Sequence, residues 1–167
     1  MNQVQLDNSE RYCVFQCADR WYGIAALSVR SIVPLPVVTR TPYCDPILEG
    51  VVHLQNEFLP VVNFRSLTEI QYDQNKAAQQ QLAVLLGPEG AWGLSIDRAE
   101  SLASLEVAFT EISNQQDRWS KAVLGSASYK NQIVQILEPI TLYEYASSLI
   151  GGFWQESELT STLTYSD

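Results

Sequence analysis

Few side chains in this sequence are of types that do covalent or metal chemistry, and they form no recognisable constellation. His53 is the single histidine; it alternates with Val51 in an apparent strand, which puts it on a solvated or half-buried face. Cys13, Cys17 and Cys44 are the three cysteines. One histidine and three scattered thiols give no zinc spacing. Cys13 and Cys17 lie four residues apart in a strand pattern, about 13 Å between Cα atoms at ~3.3 Å per residue. No disulfide closes over that distance, so they read as free thiols buried as small hydrophobes. Asp97 follows an apolar run and precedes Arg98, and a local ion pair or a turn cap is the simplest account of it. No serine sits in a Gly-x-Ser-x-Gly elbow, and no glycine-rich phosphate loop precedes a helix. Nothing favours a pair of carboxylates that would meet only in space. The residues assign no catalytic, cofactor-binding or metal-binding position, and an enzyme is not expected.

A chain without such a constellation works through its surfaces, so the next question is what those surfaces are made of. The 167 residues suffice for one domain or two small ones. With 46% hydrophobic and 17% charged residues, the chain can bury a core. Ten Lys+Arg against 19 Asp+Glu give a net charge of −9, which argues against nucleic acid and anionic lipid as partners. The charge is uneven: residues 1–86 hold six basic and eight acidic residues (net −2), residues 87–167 four and 11 (net −7). No apolar stretch approaches the roughly 20 residues of a spanning helix. The polar start MNQVQLDNSE lacks the charged-then-apolar run of a signal peptide. Trp21, Trp92, Trp119 and Trp154 are candidates for exposed contacts, with core packing the alternative for each.

Elements follow from the pattern. Arg11–Cys17, Trp21–Ile24, Val29–Val33, Gly50–Leu54, Phe58–Phe64, Leu82–Leu86, Ala91–Asp97, Glu100–Leu105, Ala122–Tyr129 and Gln132–Leu137 read as strands, with Val37–Arg40 extended. Pro34 and Pro36 cannot donate to a ladder and mark an edge or an exit from a sheet. Ala25–Ser28 and Arg65–Ile70 fit single helical turns. Asn56 should carry a positive φ in the turn after Leu54. Gln71–Gln81 is glutamine-rich and reads as a loop between two halves; Phe109–Ser120 reads as irregular. Pro139–Leu149 is the one convincing helix, ended by Gly151-Gly152. The expected fold is all-β: two packed five-stranded β-barrels with a C-terminal helix. The domain spans residues 11–150, with barrel halves near 11–70 and 82–150 and strand crossover allowed. Residues 1–10 and 151–167 are read as a loose N-terminal and a mobile C-terminal tail.

At Gly50–Arg65 the run GVVHLQNEFLPVVNFR resembles the CheW family, whose signature runs Gly-Val-x-Asn-Leu-Arg-Gly-x-Ile-Val-Pro-Val-Val-Asp-Leu-Arg. Val14-Phe15, Tyr22-Gly23-Ile24, Val29, Ile32, Val38-Thr39-Arg40 and Pro46 also fall where the family has matching residues. Gly93-Leu94-Ser95-Ile96-Asp97 looks like its Gly-Ile-Val-Val-Asp strand, and Leu124-Gly125 and Ile133–Leu137 like its last hairpin. The resemblance covers about Arg11–Leu149. It implies two β-barrels on a shared core and a non-enzymatic adaptor of bacterial chemosensory arrays. Its implied partners are the regulatory domain of a CheA-like histidine kinase and the cytoplasmic helical tip of a chemoreceptor. Its implied place is the cytoplasm, at membrane-associated receptor arrays, with no cofactor and no direct membrane insertion. The partner-binding residues it implies are Val29, Ser31, Ile32, Gly50, Leu54, Gln55, Asn56 and Phe58.

Four positions depart from the family pattern. Gln55-Asn56 replace Arg-Gly, Ser31 replaces Glu, and Asn63 replaces Asp. Losing a cation and an anion suggests retuned partners, as in a pilus-motility or phototaxis pathway. Two other readings stay open: a CheW-like module with a different partner or self-association, and more remotely a small β-barrel enzyme or ligand carrier. If positions 31 and 55 discriminate partners, S31E combined with Q55R should tighten binding to an ordinary family kinase domain or receptor tip. Isothermal titration showing no gain for either would remove them as discriminators.

Overall fold

The computed structural model describes residues 10–42, 46–68, 80–110 and 118–164, with side chains placed through Gly151 apart from residue 118. The strands are β1 (Arg11–Cys17), β2 (Arg20–Ala25), β3 (Val29–Pro34), β4 (Leu48–Leu54), β5 (Glu57–Asn63), β6 (Gln81–Gly87), β7 (Gly90–Ile96), β8 (Arg98–Ser104), β9 (Ala108–Phe109), β10 (Val123–Tyr129) and β11 (Gln132–Leu137). The helices are α1 (Phe64–Leu67), α2 (Arg118–Ala122) and α3 (Pro139–Thr164), and a single 3-10 turn covers Ala26–Ser28. Three hairpins turn through consecutive left-handed residues, Ala18-Asp19, Gln55-Asn56 and Lys130-Asn131. That geometry matches the right-handed twist of the flanking strands. Asn56 carries the expected positive φ, and so does Gln55.

Two mixed sheets result, in the orders β8-β1-β2-β11-β10-β9 and β3-β6-β7-β5-β4. The parallel pairs are β2 with β11 and β5 with β7; the other ladders are antiparallel. Each sheet draws strands from both sides of residues 71–79, so the sheets interleave along the chain. The Gln71–Gln81 loop lies outside the described residues up to 79, and Gln81 already begins β6.

The expectation of two closed five-stranded barrels is corrected to open sheets of six and five strands, with no ladder closing either among the described residues. In the smaller sheet the reason is chemical. β3 ends in Pro34, Pro36 follows it, and neither has an N–H to give. The segment expected at Val37–Arg40 touches the far edge only once, where Thr39 and Val51 exchange two hydrogen bonds of 2.9 Å. In the larger sheet the last strand, β9, has two residues. It falls in the segment read as irregular, whose end also forms α2.

Three apolar clusters form the interior. Tyr12, Val14, Leu105, Ala127, Val134 and Ile136 fill the six-stranded sheet. Val52, Leu59, Val61, Leu82 and Val84 fill the five-stranded one. Between the sheets lies the largest cluster, which includes Phe15, Tyr22, Ile24, Phe64, Trp92, Leu94 and Leu142. On β6, Leu82 and Val84 enter one cluster while Ala83 and Leu85 enter another, so the strand is apolar on both faces. Phe15, Tyr22 and Phe64 meet at ring distances of 4.7 to 5.6 Å, with Phe64 edge-on to both partners. Trp92 is buried and meets Tyr143 edge-on at 5.6 Å, while Trp21 and Trp119 are partly buried. The Trp154 side chain lies outside the described residues.

Glu138 caps α3 by accepting hydrogen bonds from the Thr141 N–H and hydroxyl. The helix was expected to stop at Gly151-Gly152, but its backbone continues to Thr164. Glycine weakens a helix by about 1 kcal/mol relative to alanine; ending one requires a left-handed C-terminal turn as well. The part of the expected mobile tail from 151 to 164 is therefore helical in backbone.

Gly50 shows why the hairpin of β4 and β5 tolerates the crossing segment. Its φ is +148°, and a Cβ there would lie 2.3 Å from the Thr39 carbonyl oxygen. Gly50→Ala should therefore destabilise the fold by about 2 kcal/mol or more. A lowered urea midpoint checks this, and an unchanged midpoint would show that Val38 and Thr39 can move aside.

Candidate functional site

Asp97 follows β7 and is not used locally. Its carboxylate receives the Arg65 Nε at 2.7 Å and Arg65 Nη2 at 2.6 Å, a two-pronged pair whose side chains are largely buried. It also accepts the Ala18 N–H at 2.9 Å. The expectation of a local pair with Arg98 is corrected here: Arg98 instead meets Gln16 and Glu100. Arg65 is fixed because Asn63 caps α1, its Oδ1 accepting the Ser66 N–H at 3.0 Å. Asn and Asp cap helices equally well, so the Asn63 departure keeps this role without the charge. The bond to Asp97 raises the Arg65 pKa further. Cys17 lies 4.0 Å from Asp97, and burial first, then the carboxylate's charge, pushes its thiol pKa up to about 12. Cys13 and Cys17 are buried free thiols, as read from spacing; Cys44 lies outside the described residues.

The expected docking residues fall in two segments that meet. Val29, Ser31 and Ile32 sit on β3, at one edge of the five-stranded sheet. Gly50, Leu54, Gln55, Asn56 and Phe58 sit on the β4–β5 hairpin at its other edge. An ion pair joins the segments: Arg30 Nη2 lies 2.6 Å from Glu57 Oε2. Sequence reasoning missed both partners. The signal available was their position, one residue before Ser31 and two after Gln55. Gln55 and Asn56 are exposed at the hairpin tip. Phe58 is 76% exposed and has the exposed His53 ring 4.8 Å away. Leu54 packs partly against the five-stranded sheet's own core. Gly50, also among the expected contact residues, is buried beneath Val38 and Thr39.

A groove of about 330 Å³ runs between the edge strands β3 and β8. Cys13, Ala26, Val29, Ile32, Ala99 and Leu102 give it an apolar lining, with Glu100 and Ser101 the polar members. Leu102 is 62% exposed although it lines the groove. Only Val29 and Ile32 of these had been singled out from the sequence. The β8 residues escaped notice because nothing in their spacing tells which edge strand they face.

No group of three or more His, Cys, Asp or Glu side chains that could hold a metal occurs among the described residues. No described helix is long and apolar enough to cross a membrane. Two sheets thus pack on a shared core, with an open apolar groove between their edges. The CheW-like domain family matches residues 11–146, and the chain belongs to that family, which is non-enzymatic. A relative, the chemotaxis protein CheW of Thermotoga maritima, is 21% identical over 123 residues, covering 70% of this chain and 80% of that protein. The crystal structure of the scaffolding protein TtCheW from Thermoanaerobacter tengcongensis shares the fold with a TM-score of 0.71 at 17% identity, covering 86% of this chain and 93% of that one.

Removing one member of a buried ion pair leaves the other charge without compensation, at a cost of about 3–5 kcal/mol. Arg65→Met should lower stability by about that much, and the double change R65M/D97N should lose less. Urea unfolding of the two variants decides it. Equal losses would mean that the Asp97 charge does not depend on Arg65.

Proposed function

We propose that this chain is an adaptor that couples a chemoreceptor-type sensor to a CheA-like histidine kinase at cytoplasmic receptor arrays. The observation that carries the reading is the open apolar groove between β3 and β8 in a chain of the CheW-like family. An amphipathic helix can lay its apolar face in such a groove, with side chains at i, i+3, i+4 and i+7 as anchors. The receptor's cytoplasmic helical tip is the proposed occupant. The kinase's regulatory domain is assigned to the exposed surface of the β4–β5 hairpin at Gln55, Asn56 and Phe58. Large exposed apolar side chains such as Phe58 mark protein-contact sites when they cluster with others. The neutral Ser31 and Gln55 support a second reading, in which the same module serves a different partner or a second copy of itself.

Affinity purification from the source cells should recover a CheA-like kinase and a receptor with the wild-type chain. Leu102→Glu places a charge in the groove at an exposed position. It should reduce receptor recovery at least tenfold while leaving kinase recovery unchanged. Recovery of neither partner by the wild type, under conditions where an ordinary family member recovers both, would reject the coupling role.

A further inference from the structure

We infer that the Arg30–Glu57 pair is a specificity determinant, and that Arg30 selects a partner helix carrying a carboxylate beside the apolar face that enters the groove. The inference rests on the adaptor reading above and deepens it. Its first support is backbone geometry. Between Val29 and Ser31 the β3–β6 register shifts, Val29 facing Leu85 and Ser31 facing Val84, so Arg30 is the extra residue of a bulge. A bulge leaves its residue unpaired and re-aims the side chain. Here it sends Arg30 outward from a strand whose neighbours Val29 and Ile32 line the groove.

The second support is energetic. The two side chains are 33% and 51% exposed. Exposed pairs of this kind contribute little to folding stability and are weakened by salt. A feature that does little for the fold yet is aimed by a backbone irregularity is better explained by recognition. The third support is stoichiometric. Arg30 Nη2 makes one hydrogen bond to Glu57, and a guanidinium offers five N–H groups in a planar fork suited to carboxylates. The contact to Glu57 uses one of those donors, and the Arg30 side chain is 33% exposed.

The surroundings make the charge legible. Ser31, Gln55 and Asn56 are neutral, so Arg30 and its partner Glu57 carry the charge at this corner. A carboxylate flanking the partner helix's apolar face can share the guanidinium with Glu57 through its remaining donors. Charges at an interface rim act in that way, setting register and partner choice.

The test compares wild type, R30E and the swapped pair R30E/E57R against the cytoplasmic hairpin fragment of the receptor recovered by the purification described above. Affinity is measured by isothermal titration at low salt. R30E should weaken binding at least tenfold. The swapped pair restores an ion pair between β3 and the hairpin but presents the opposite polarity, and it should remain at least tenfold weak. Thermal unfolding midpoints should stay within about 3 °C of wild type, as for an exposed pair in a domain of this size. Full recovery of affinity in the swapped pair would overturn the inference, because the pair would then act only as a brace. Wild-type affinity in R30E would overturn it too. Failure of the wild type to recover any receptor would instead reject the coupling role, and this inference with it.

Discussion

The bidentate contact between Arg65 and Asp97 is the constraint on which the two-sheet arrangement turns. Arg65 follows β5 and Asp97 follows β7, and both strands belong to the five-stranded sheet. The Ala18 N–H that also binds Asp97 belongs to the turn between β1 and β2 of the six-stranded sheet. One carboxylate thus ties both sheets at the border of their shared core. The aromatic contacts of Phe15, Tyr22 and Phe64 lie in that core, and their geometry needs the sheets held at a fixed separation. A charge in this place is tolerable because both Arg65 nitrogens and a backbone N–H satisfy it.

The docking surfaces inherit this arrangement. The groove exists because β3 and β8 are edge strands of different sheets that the shared core sets side by side. It stays open because neither edge is sealed by a ladder. The prolines at the end of β3 prevent one there, and the single Thr39–Val51 bridge keeps the departing chain near β4. The features that leave the barrels incomplete are therefore the ones that leave room for a partner.

How much was legible in the sequence depended on distance along the chain. Strands and hairpins were, because β-branched runs and Asn-containing turns such as Gln55-Asn56 and Lys130-Asn131 act over a few residues. The family resemblance at Gly50–Arg65 was also legible, and it drew attention to Val29 and Ile32 before their place in a groove could be seen. Features joining residues far apart were not legible. Arg65 and Asp97 look unrelated in sequence, and Asp97 has a tempting neighbour in Arg98. The missing barrel closure depends on where Thr39 lands, which no local pattern states. The length of α3 was misread because two glycines are a weak stop signal without the geometry of a terminating turn.

The interleaving of strands has a consequence for how the molecule comes into being. Tyr22 pairs with Gln135, and Phe15 with Ala99, so ladders of the first sheet join chain segments separated by most of the domain. Long-range pairings are slow to form, because loop closure is opposed by entropy before any contact is gained. On the ribosome β2 lacks its β11 neighbour until the last hairpin has been synthesised, although β1 can already pair with β2 and β8. Two complete barrels in series would have let the first fold while the second was being made. This topology instead leaves the first sheet incomplete until the last hairpin is made, and an unpaired strand edge of that kind is prone to aggregation.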